Sequence, residues 1–223
     1  MSNVDKEKKE VRVMSNLRAA NETQAEANSN LFREKKVFAF NLLGSPGAGK
    51  TTLLEKTLAL LKDRMKAGVI EGDLYSTKDA DRIAKYNIPV VQINTSGGCH
   101  LDALMIAKVL PDFDLDNLDT LIVENVGNLV CPADFNLGEE LKVVVLSIVE
   151  GDDKPAKYPL IFRNSAVAIL NKMDLLNLTD VNMDNMKADI LAINPKIKIF
   201  EVSCRQGVGL EEWCNWLLSN LKK

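Results

Sequence analysis

Residues 44–52 carry the strongest chemical signature in this 223-residue chain, the glycine-rich run GSPGAGKTT. The run fits the pattern G-x-x-x-x-G-K-[ST] and follows an apolar stretch typical of a strand. Its glycines let backbone N–H groups approach phosphate oxygens, the lysine adds a positive charge, and the threonine hydroxyl can bind Mg²⁺. We therefore expect a phosphate-binding loop whose nucleotide contacts come from Gly44, Gly47, Ala48, Gly49, Lys50, Thr51 and Thr52.

A second motif, NKMD at residues 171–174, indicates which base is bound. It resembles the N-K-x-D motif with which P-loop GTPases recognise guanine. Asp174 can accept hydrogen bonds from guanine N1–H and the exocyclic amino group together, and adenine offers no such pair of donors. Asn171 and Lys172 complete the motif, with the lysine stem over the base. Ser203 and Arg205, at the next strand end, occupy the position of the segment that backs guanine in GTPases.

Acidic residues at two further strand ends predict the Mg²⁺ site. The segment from Glu124 to Gly127 stands where a typical GTPase carries D-x-x-G. The carboxylate of Glu124 can hold a Mg²⁺-bound water, and the N–H of Gly127 can sense a γ-phosphate. Asp73 ends another strand, so we expect Thr51, Asp73 and Glu124 to form the magnesium site.

Lys50 and Asp73 are the residues we expect to act in hydrolysis, the lysine on the phosphates and the aspartate on water or Mg²⁺. Asn128 follows Gly127, where many regulatory GTPases carry a water-orienting glutamine. Because asparagine is shorter, we predict slow intrinsic GTP hydrolysis. Asp79 and Asp81 are expected on a solvated helix face.

The only histidine, His100, directly follows Cys99, and Cys131 lies in another loop expected at the same edge of the sheet. Two thiols and an imidazole suit a borderline-soft ion such as Ni²⁺ or Zn²⁺. We also expect Cys99 at a helix N-terminus, which would favour its thiolate. An incidental pair and a Cys–His nucleophile remain alternatives. Three side chains leave a four-coordinate ion one ligand short, so water, a backbone group or a second subunit would complete it.

The other two cysteines, Cys204 and Cys214, read as packed residues, the first beside the base and the second on the apolar face of the last helix. Four scattered cysteines do not form a disulfide framework, so we expect free thiols in a reducing compartment.

Short apolar runs alternate with helical patterns from residue 36 onward. The pattern predicts strands at 37–43, 67–71, 90–94, 120–124, 143–149, 166–170 and 198–202, and helices at 50–63, 76–86, 101–110, 181–191 and 210–221. Such alternation is typical of a doubly wound α/β domain with a mostly parallel sheet of about seven strands. We assign residues 36–223 to this P-loop domain and residues 1–35 to an amphipathic helical arm on its surface.

The net charge of −3 argues against nucleic acid or an anionic membrane as a partner. No apolar run approaches the roughly 20 residues of a membrane span, and the charged start lacks a signal-peptide core. We therefore expect a cytoplasmic protein.

The runs GSPGAGKTTLLEK, EGDLYSTKDADRI, GGCHLDA, ENVGNLVCPADFNLGEE and EGDDKP resemble the hydrogenase nickel-incorporation GTPases of the HypB family, over essentially the whole chain. The resemblance implies a GTPase that dimerises on binding GTP and helps deliver nickel to [NiFe]-hydrogenase. It implies hydrogenase maturation proteins and the hydrogenase large subunit as partners. The family's metal-binding residues match Cys99, His100 and Cys131, at a dimer interface. Residues 1–35 lack the Cys-rich or His-rich nickel motif of many relatives, so we expect only the domain site and no nickel storage.

Gly127 and Cys131 lie on one loop, so a loop drawn towards a γ-phosphate would move a metal ligand with it. We therefore expect GTP binding to assemble the metal site and hydrolysis to dismantle it. Three alternatives remain: a urease accessory GTPase, which the absence of a Cys-Pro-His motif disfavours; a small-molecule kinase, which NKMD disfavours; and a regulatory GTPase switch that needs no metal.

Overall fold

The computed structural model describes residues 3–73 and 78–221, with side chains from Leu17 onward apart from those of Lys78 and Asp81. Within these residues the chain forms a seven-stranded sheet flanked by helices. The strands are β1 (Phe38–Gly44), β2 (Ala67–Asp73), β3 (Val90–Asn94), β4 (Thr120–Glu124), β5 (Leu141–Ser147), β6 (Val167–Asn171) and β7 (Lys198–Glu201). Their spatial order is β3-β2-β4-β1-β5-β6-β7, and every neighbouring pair is parallel. The predicted doubly wound α/β architecture is confirmed.

The helices of the described residues are α1 (Asn3–Lys35), α2 (Lys50–Leu61), α3 (Lys78–Ala84), α4 (Ala103–Val109), α5 (Cys131–Asp134), α6 (Lys154–Lys157), α7 (Pro159–Arg163), α8 (Met183–Ile193) and α9 (Leu210–Leu221). Five of them correspond to predicted helices, with ends shifted by a few residues. The predicted start of the helix at residue 76 lies outside the described residues. The helices α5, α6 and α7 were missed, because four or five residues are too few to show a helical period.

Alternating side chains of the strands supply one hydrophobic cluster on one face of the sheet and two on the other. On β1, Phe40 and Leu42 pack with α2 and α9 on one face, whereas Ala39 and Leu43 face the helices of the other side. All four side chains are buried, as expected for a central parallel strand covered on both faces. The loops at the carboxyl ends of the strands therefore share one edge of a rigid sheet.

The N-terminal arm is one long helix, α1, whose described part packs against α4. Asn28 is buried in α1 and donates to the carbonyls of Ala103 and Leu137, both at 2.9 Å. Asn21 accepts from the Ala103 N–H at 2.9 Å. The arm is therefore docked by buried polar contacts, in addition to the apolar packing of Phe32. The side chains of the first 16 residues of the arm lie outside the described part of the structure.

Among the residues that the structure describes, no helix has the length and apolarity required to span a membrane.

Candidate nucleotide and metal site

The loop after β1 has a backbone that requires glycine at two points. Gly49, with φ of 98°, precedes α2, and a Cβ there would lie 2.3 Å from Asn171 Nδ2. A Cβ on Gly44 would lie 2.3 Å from the Val145 carbonyl oxygen. The loop thus packs directly against the ends of β5 and β6. Its Ala48 N–H donates to the Ser45 carbonyl at 3.2 Å, and the position at the start of α2 favours phosphate binding by the other N–H groups.

An open cavity of about 440 Å³ lies over this loop at the carboxyl edge of the sheet. It is bounded by the phosphate-binding loop, the end of β2, the start of α3 and the segment after β4. The lining residues that sequence analysis named are Gly47, Gly49, Lys50, Thr51, Thr52, Asp73, Glu124, Gly127 and Lys172. The cavity therefore brings together the residues predicted to bind Mg²⁺ and most of those predicted to bind phosphate, whereas Gly44 and Ala48 are not in its lining.

Lys50 is buried at the floor of this cavity. Its Nζ donates to the carbonyl oxygens of Gly44 and Ser45, at 3.2 and 3.3 Å. Burial lowers the pKa of Lys50, against the nearby carboxylates of Glu124 and Glu71, which raise it. The ammonium group thus lies between backbone carbonyls and acidic side chains, where an incoming phosphate can replace the carbonyls.

Thr51 and Glu124 form a buried pair beside Lys50, with Thr51 Oγ1 donating to Glu124 Oε1 at 2.8 Å. Glu71 lies opposite Glu124 in the paired strands β2 and β4, so both carboxyl groups are on the same face of the sheet. Burial raises the pKa of Glu71 to about 10, and the negative charge of Glu124 raises it further. Burial also raises the pKa of Glu124, to about 7, although the positive charge of Lys50 lowers it.

One oxygen of each carboxyl group, Glu71 Oε1 and Glu124 Oε2, has no hydrogen-bond partner among the described residues although it is buried. Buried carboxyl oxygens are costly to leave unpaired, and carboxylate and hydroxyl oxygens are the ligands that Mg²⁺ prefers. The group therefore fits a divalent cation. Sequence analysis missed Glu71, although its position two residues before Asp73 in a strand places both side chains on one face.

The opposite wall of the cavity comes from α3. Arg82 contacts Glu55 Oε2 and Asp79 Oδ1, at 2.5 and 3.0 Å, and donates to Thr52 Oγ1 at 3.2 Å. Asp79, expected on a solvated helix face, is half-exposed and also borders the cavity. Asp81 lies outside the described side chains. Sequence analysis missed Arg82, which links α3 to the helix that follows the phosphate-binding loop.

The NKMD segment is tied to the same loop. Asn171 Nδ2 donates to the Ala48 carbonyl at 2.9 Å, and Lys172 Nζ donates to the Gly47 carbonyl at 2.7 Å. Asp174 Oδ1 accepts from Ser203 Oγ at 2.6 Å, so the hydroxyl fixes the carboxylate that was predicted to contact guanine.

Arg205, which was predicted to bind nucleotide, has an exposed side chain and is absent from the cavity lining. Asp174 and Ser203 also lie outside that lining. Of the predicted base-binding residues, Lys172 lines the cavity over the phosphate-binding loop, whereas Asn171, Asp174, Ser203 and Arg205 do not.

The cysteine and histidine side chains do come together. The ligand atoms of Cys99, His100 and Cys131 all lie within 4.8 Å of one another. The distance from Cys99 Sγ to His100 Nδ1 is 3.4 Å, and the His100 ring packs against the Phe135 ring at a tilt of 34°, with centroids 3.8 Å apart. Burial lowers the pKa of His100, which favours the neutral imidazole that a metal ion requires.

The expectation that a helix N-terminus favours the Cys99 thiolate was wrong. The helix α4 begins only at Ala103 with Asp102 as its N-cap, and a hydrogen bond with Cys131 raises the pKa of Cys99. The hydrogen bond with Cys131 therefore disfavours the Cys99 thiolate, and a bound metal ion would favour it.

The segment between β4 and α5 runs beside both sites. A Cβ on Gly127 would lie 2.9 Å from Pro46 N, so this segment packs tightly on the phosphate-binding loop. The N–H of Asn128 donates to the Gly44 carbonyl at 3.0 Å, and its side-chain Nδ2 donates to the Cys99 carbonyl at 3.3 Å. Asn125 Oδ1 accepts from the Leu101 N–H at 3.1 Å. The segment therefore connects the loop that bears Cys99 to the nucleotide cavity.

Cys204 and Cys214 are buried in the core with α2 and α9, as predicted. Burial raises the pKa of each thiol to about 11. Neither belongs to the metal-ligand cluster found among the described residues.

Comparisons with known proteins agree with this geometry. The family model described as "CobW/HypB/UreG, nucleotide-binding domain" matches residues 38–201. The hydrogenase maturation factor HypB of Escherichia coli K12 is 48% identical over 197 residues, covering 88% of this chain and 68% of the relative. The hydrogenase/urease maturation factor HypB of Helicobacter pylori is 37% identical over 226 residues, covering 100% of this chain and 93% of the relative.

A solved structure extends the similarity to three dimensions. The crystal structure of H. pylori HypB in complex with nickel superimposes with a TM-score of 0.86 at 37% identity, covering 91% of this chain and 95% of that one. Sequence and structure thus agree over most of the chain, and the chain belongs to the CobW/HypB/UreG family of nucleotide-binding proteins, within its HypB group.

Proposed function

We propose that the protein hydrolyses GTP to GDP and phosphate, and that it uses this reaction to bind nickel and release it during assembly of [NiFe]-hydrogenase. The observation that carries the proposal is the adjacency of the Cys99–His100–Cys131 cluster to the nucleotide cavity. One segment, residues 124–131, supplies groups to both. A nucleotide that moves this segment changes the geometry of a metal ligand.

Guanine is the base that the NKMD segment suits. Asp174 is an acceptor held by Ser203, and Lys172 is anchored to the Gly47 carbonyl beside the phosphates. A fixed carboxylate recognises two adjacent N–H donors, which guanine has and adenine lacks. GTP and GDP are therefore the proposed nucleotides, with Arg205 contributing from the exposed side of the loop.

Mg²⁺ would be held by Thr51, Asp73 and Glu124, where it screens the phosphate charge. Lys50 neutralises the β/γ-phosphates, and Asp73 at the end of β2 borders the cavity where the attacking water would enter. Asn128 directs its amide at Cys99 and is not part of the cavity lining, so it does not orient that water. Intrinsic hydrolysis is therefore expected to be slow.

Nickel is the proposed cargo, with Zn²⁺ as a competing ion of similar ligand preference. Two thiols and a neutral imidazole provide three ligands, and a four-coordinate ion needs one more. The H. pylori relative solved with nickel supports nickel as the metal.

A second copy of the chain is the proposed source of further ligands. The side chains of Leu104 and Val130 are 51% and 58% exposed, and they lie close in sequence to Cys99 and Cys131. Exposed apolar residues beside an incomplete metal site suit a homodimer that forms when GTP is bound. Residues 36–223 would form the domain that dimerises and residues 1–35 its helical arm, in a cytoplasmic protein that exchanges nickel with hydrogenase maturation proteins and the hydrogenase large subunit.

The test is an anaerobic Ni²⁺ titration of the reduced protein with GDP and with a non-hydrolysable GTP analogue, with light scattering on the same samples. We expect the analogue to promote dimerisation and to change the nickel dissociation constant by about 5- to 150-fold. A Cys131→Ala variant should lose that change, whereas Cys204→Ala should retain it. Identical nickel affinity in both nucleotide states would refute the proposal.

Urease is a second candidate destination, because the H. pylori relative is named a hydrogenase/urease maturation factor. The nucleotide and metal chemistry would be the same, and only the acceptor would differ. Transfer of nickel from the purified protein to apo-hydrogenase or to apo-urease, measured as recovered activity, distinguishes the two.

A further inference from the structure

Asn128 contacts both sites through different groups. Its backbone N–H donates to the Gly44 carbonyl in the phosphate-binding loop, and the two residues form an isolated antiparallel bridge. The same carbonyl accepts from Lys50 Nζ at 3.2 Å. A bound phosphate that attracts Lys50 removes one of the two donors to this carbonyl. The hydrogen bond between the Asn128 N–H and the Gly44 carbonyl therefore changes when nucleotide binds.

The side chain of Asn128 points to the metal cluster. Its Nδ2 donates to the Cys99 carbonyl at 3.3 Å, and its Oδ1 accepts from the Val130 N–H at 2.8 Å. The first bond holds the loop that carries Cys99. The second closes an Asx-type turn, which sets the direction of the chain entering Cys131.

One amide group thus fixes both cysteine-bearing segments. If residue 128 shifts relative to the phosphate-binding loop, the segments carrying Cys99 and Cys131 shift with it. Gly127 packs directly on the backbone and ring of Pro46 and has no side chain of its own to absorb such a movement.

We propose that Asn128 is the positioning residue that transmits the nucleotide state to the metal ligands. The proposal rests on the proposed nucleotide-gated metal binding and assigns its coupling to one side chain. A purely structural role would be limited to the turn at Val130. The bond to Cys99 is the additional feature, because it joins segments 29 residues apart in the chain.

The experiment compares Asn128→Ser with wild type. A serine hydroxyl can still accept from the N–H two residues on, but it is too short to reach the Cys99 carbonyl, so the variant keeps the turn and loses the link. Asn136→Ser is the matched control, because Asn136 makes the same turn with Gly138 and donates instead to Glu22 of α1. Nickel dissociation constants are measured for each protein with GDP and with a non-hydrolysable GTP analogue, using a chromophoric chelator as competitor.

Wild type and Asn136→Ser should show the same ratio of nickel dissociation constants between the two nucleotide states, in the range of about 5- to 150-fold. Asn128→Ser should reduce this ratio to near 1, while analogue binding, followed with a fluorescent nucleotide, changes little. If Asn128→Ser keeps the wild-type ratio, Asn128 does not transmit the nucleotide state and the proposed function still stands. If the wild-type protein has the same nickel dissociation constant in both nucleotide states, both proposals fail.

Hydrogen exchange on the wild-type protein tests the same link should Asn128→Ser fold poorly. Without metal, the GTP analogue should change amide protection in residues 99–101 together with residues 128–131. A response confined to residues 128–131 overturns the proposal, because the Cys99 loop would then not follow Asn128.

Discussion

Glu71 and Glu124 lie directly opposite each other in the parallel strands β2 and β4, and both side chains are buried at the floor of the nucleotide cavity. Two buried carboxyl groups on one face of a sheet, with the single positive charge of Lys50 beside them, cannot both ionise without a large free-energy cost unless a further cation binds. This pair makes the stability of the nucleotide-free protein depend on pH.

The first prediction concerns Glu71→Gln. The ordinary pKa of a glutamate is 4.5, whereas burial raises that of folded Glu71 to about 10. Between these values the unfolded chain has lost a proton that the folded chain keeps, so the free energy of unfolding falls as pH rises, by up to about 1.4 kcal/mol per pH unit. The amide that replaces the carboxyl group cannot titrate, so the stability advantage of Glu71→Gln over wild type should grow from pH 6 to pH 9 in urea titrations.

Exposed Glu212 provides the control, because Glu212→Gln should give a curve parallel to that of wild type. Parallel curves for Glu71→Gln as well would contradict the buried carboxyl pair. Mg²⁺ together with a nucleotide should diminish the difference between Glu71→Gln and wild type, since the cation stabilises the ionised pair.

A second prediction concerns base recognition by Asp174. Asp174→Asn replaces two charge-assisted acceptor interactions, each about 1.5–3 kcal/mol, so GTP affinity should fall at least about 100-fold. The new amide donor suits the C2 carbonyl of xanthine, so the affinity for a xanthosine nucleotide should rise. Fluorescent-nucleotide competition measures both changes.

Ser203→Ala removes only the hydroxyl that holds Asp174, so its GTP affinity should fall by about 5- to 10-fold, corresponding to about 1 kcal/mol. The matched control is Ser165→Ala, a buried serine that donates to Ile161 O away from the NKMD segment. If Asp174→Asn binds GTP as tightly as wild type does, the NKMD segment does not recognise the base.

Sequence analysis predicted the strands well, because buried parallel strands are nearly continuous apolar runs and the motifs occur at their ends. It did not give the strand order, which depends on pairing between distant segments. Glu71 was missed because a single charged residue after an apolar run is the usual sign that a strand has ended. Its significance arises only when the sheet places it opposite Glu124.

The metal cluster was predicted from residue types, and the environment of its thiols was not. Cys99 was expected to benefit from a helix that in fact begins at Ala103. Asn128 was interpreted by its position after Gly127, whereas its function in the fold follows from its contacts with Cys99 and Gly44. The direction of a side chain in a loop depends on neighbours that are distant in sequence. A loop has no sequence period from which that direction could be predicted.

The third prediction concerns the docking of α1. Asn28→Ala removes a buried amide that donates to two carbonyls, those of Ala103 and Leu137, and leaves both without this donor. Because each lost hydrogen bond of a buried amide costs about 0.5–1.5 kcal/mol, the free energy of unfolding should fall by about 1–3 kcal/mol. Urea unfolding measures the loss. Replacement of exposed Asn177 by Ala should have little effect, and an equal loss there would argue against the buried contact.

The last prediction separates the four thiols by reactivity. Cys204 and Cys214 are buried, and burial raises the pKa of each to about 11, so at pH 8 they should react with a thiol-specific chromogenic reagent only when the protein unfolds. Cys99 and Cys131 are accessible and should react in the native state. Ni²⁺ should protect this fast pair, because a metal-bound thiolate is a poor nucleophile. Cys131→Ala should leave one fast thiol and Cys204→Ala should leave two. Nickel that fails to slow the fast reaction would place its binding site elsewhere in the protein.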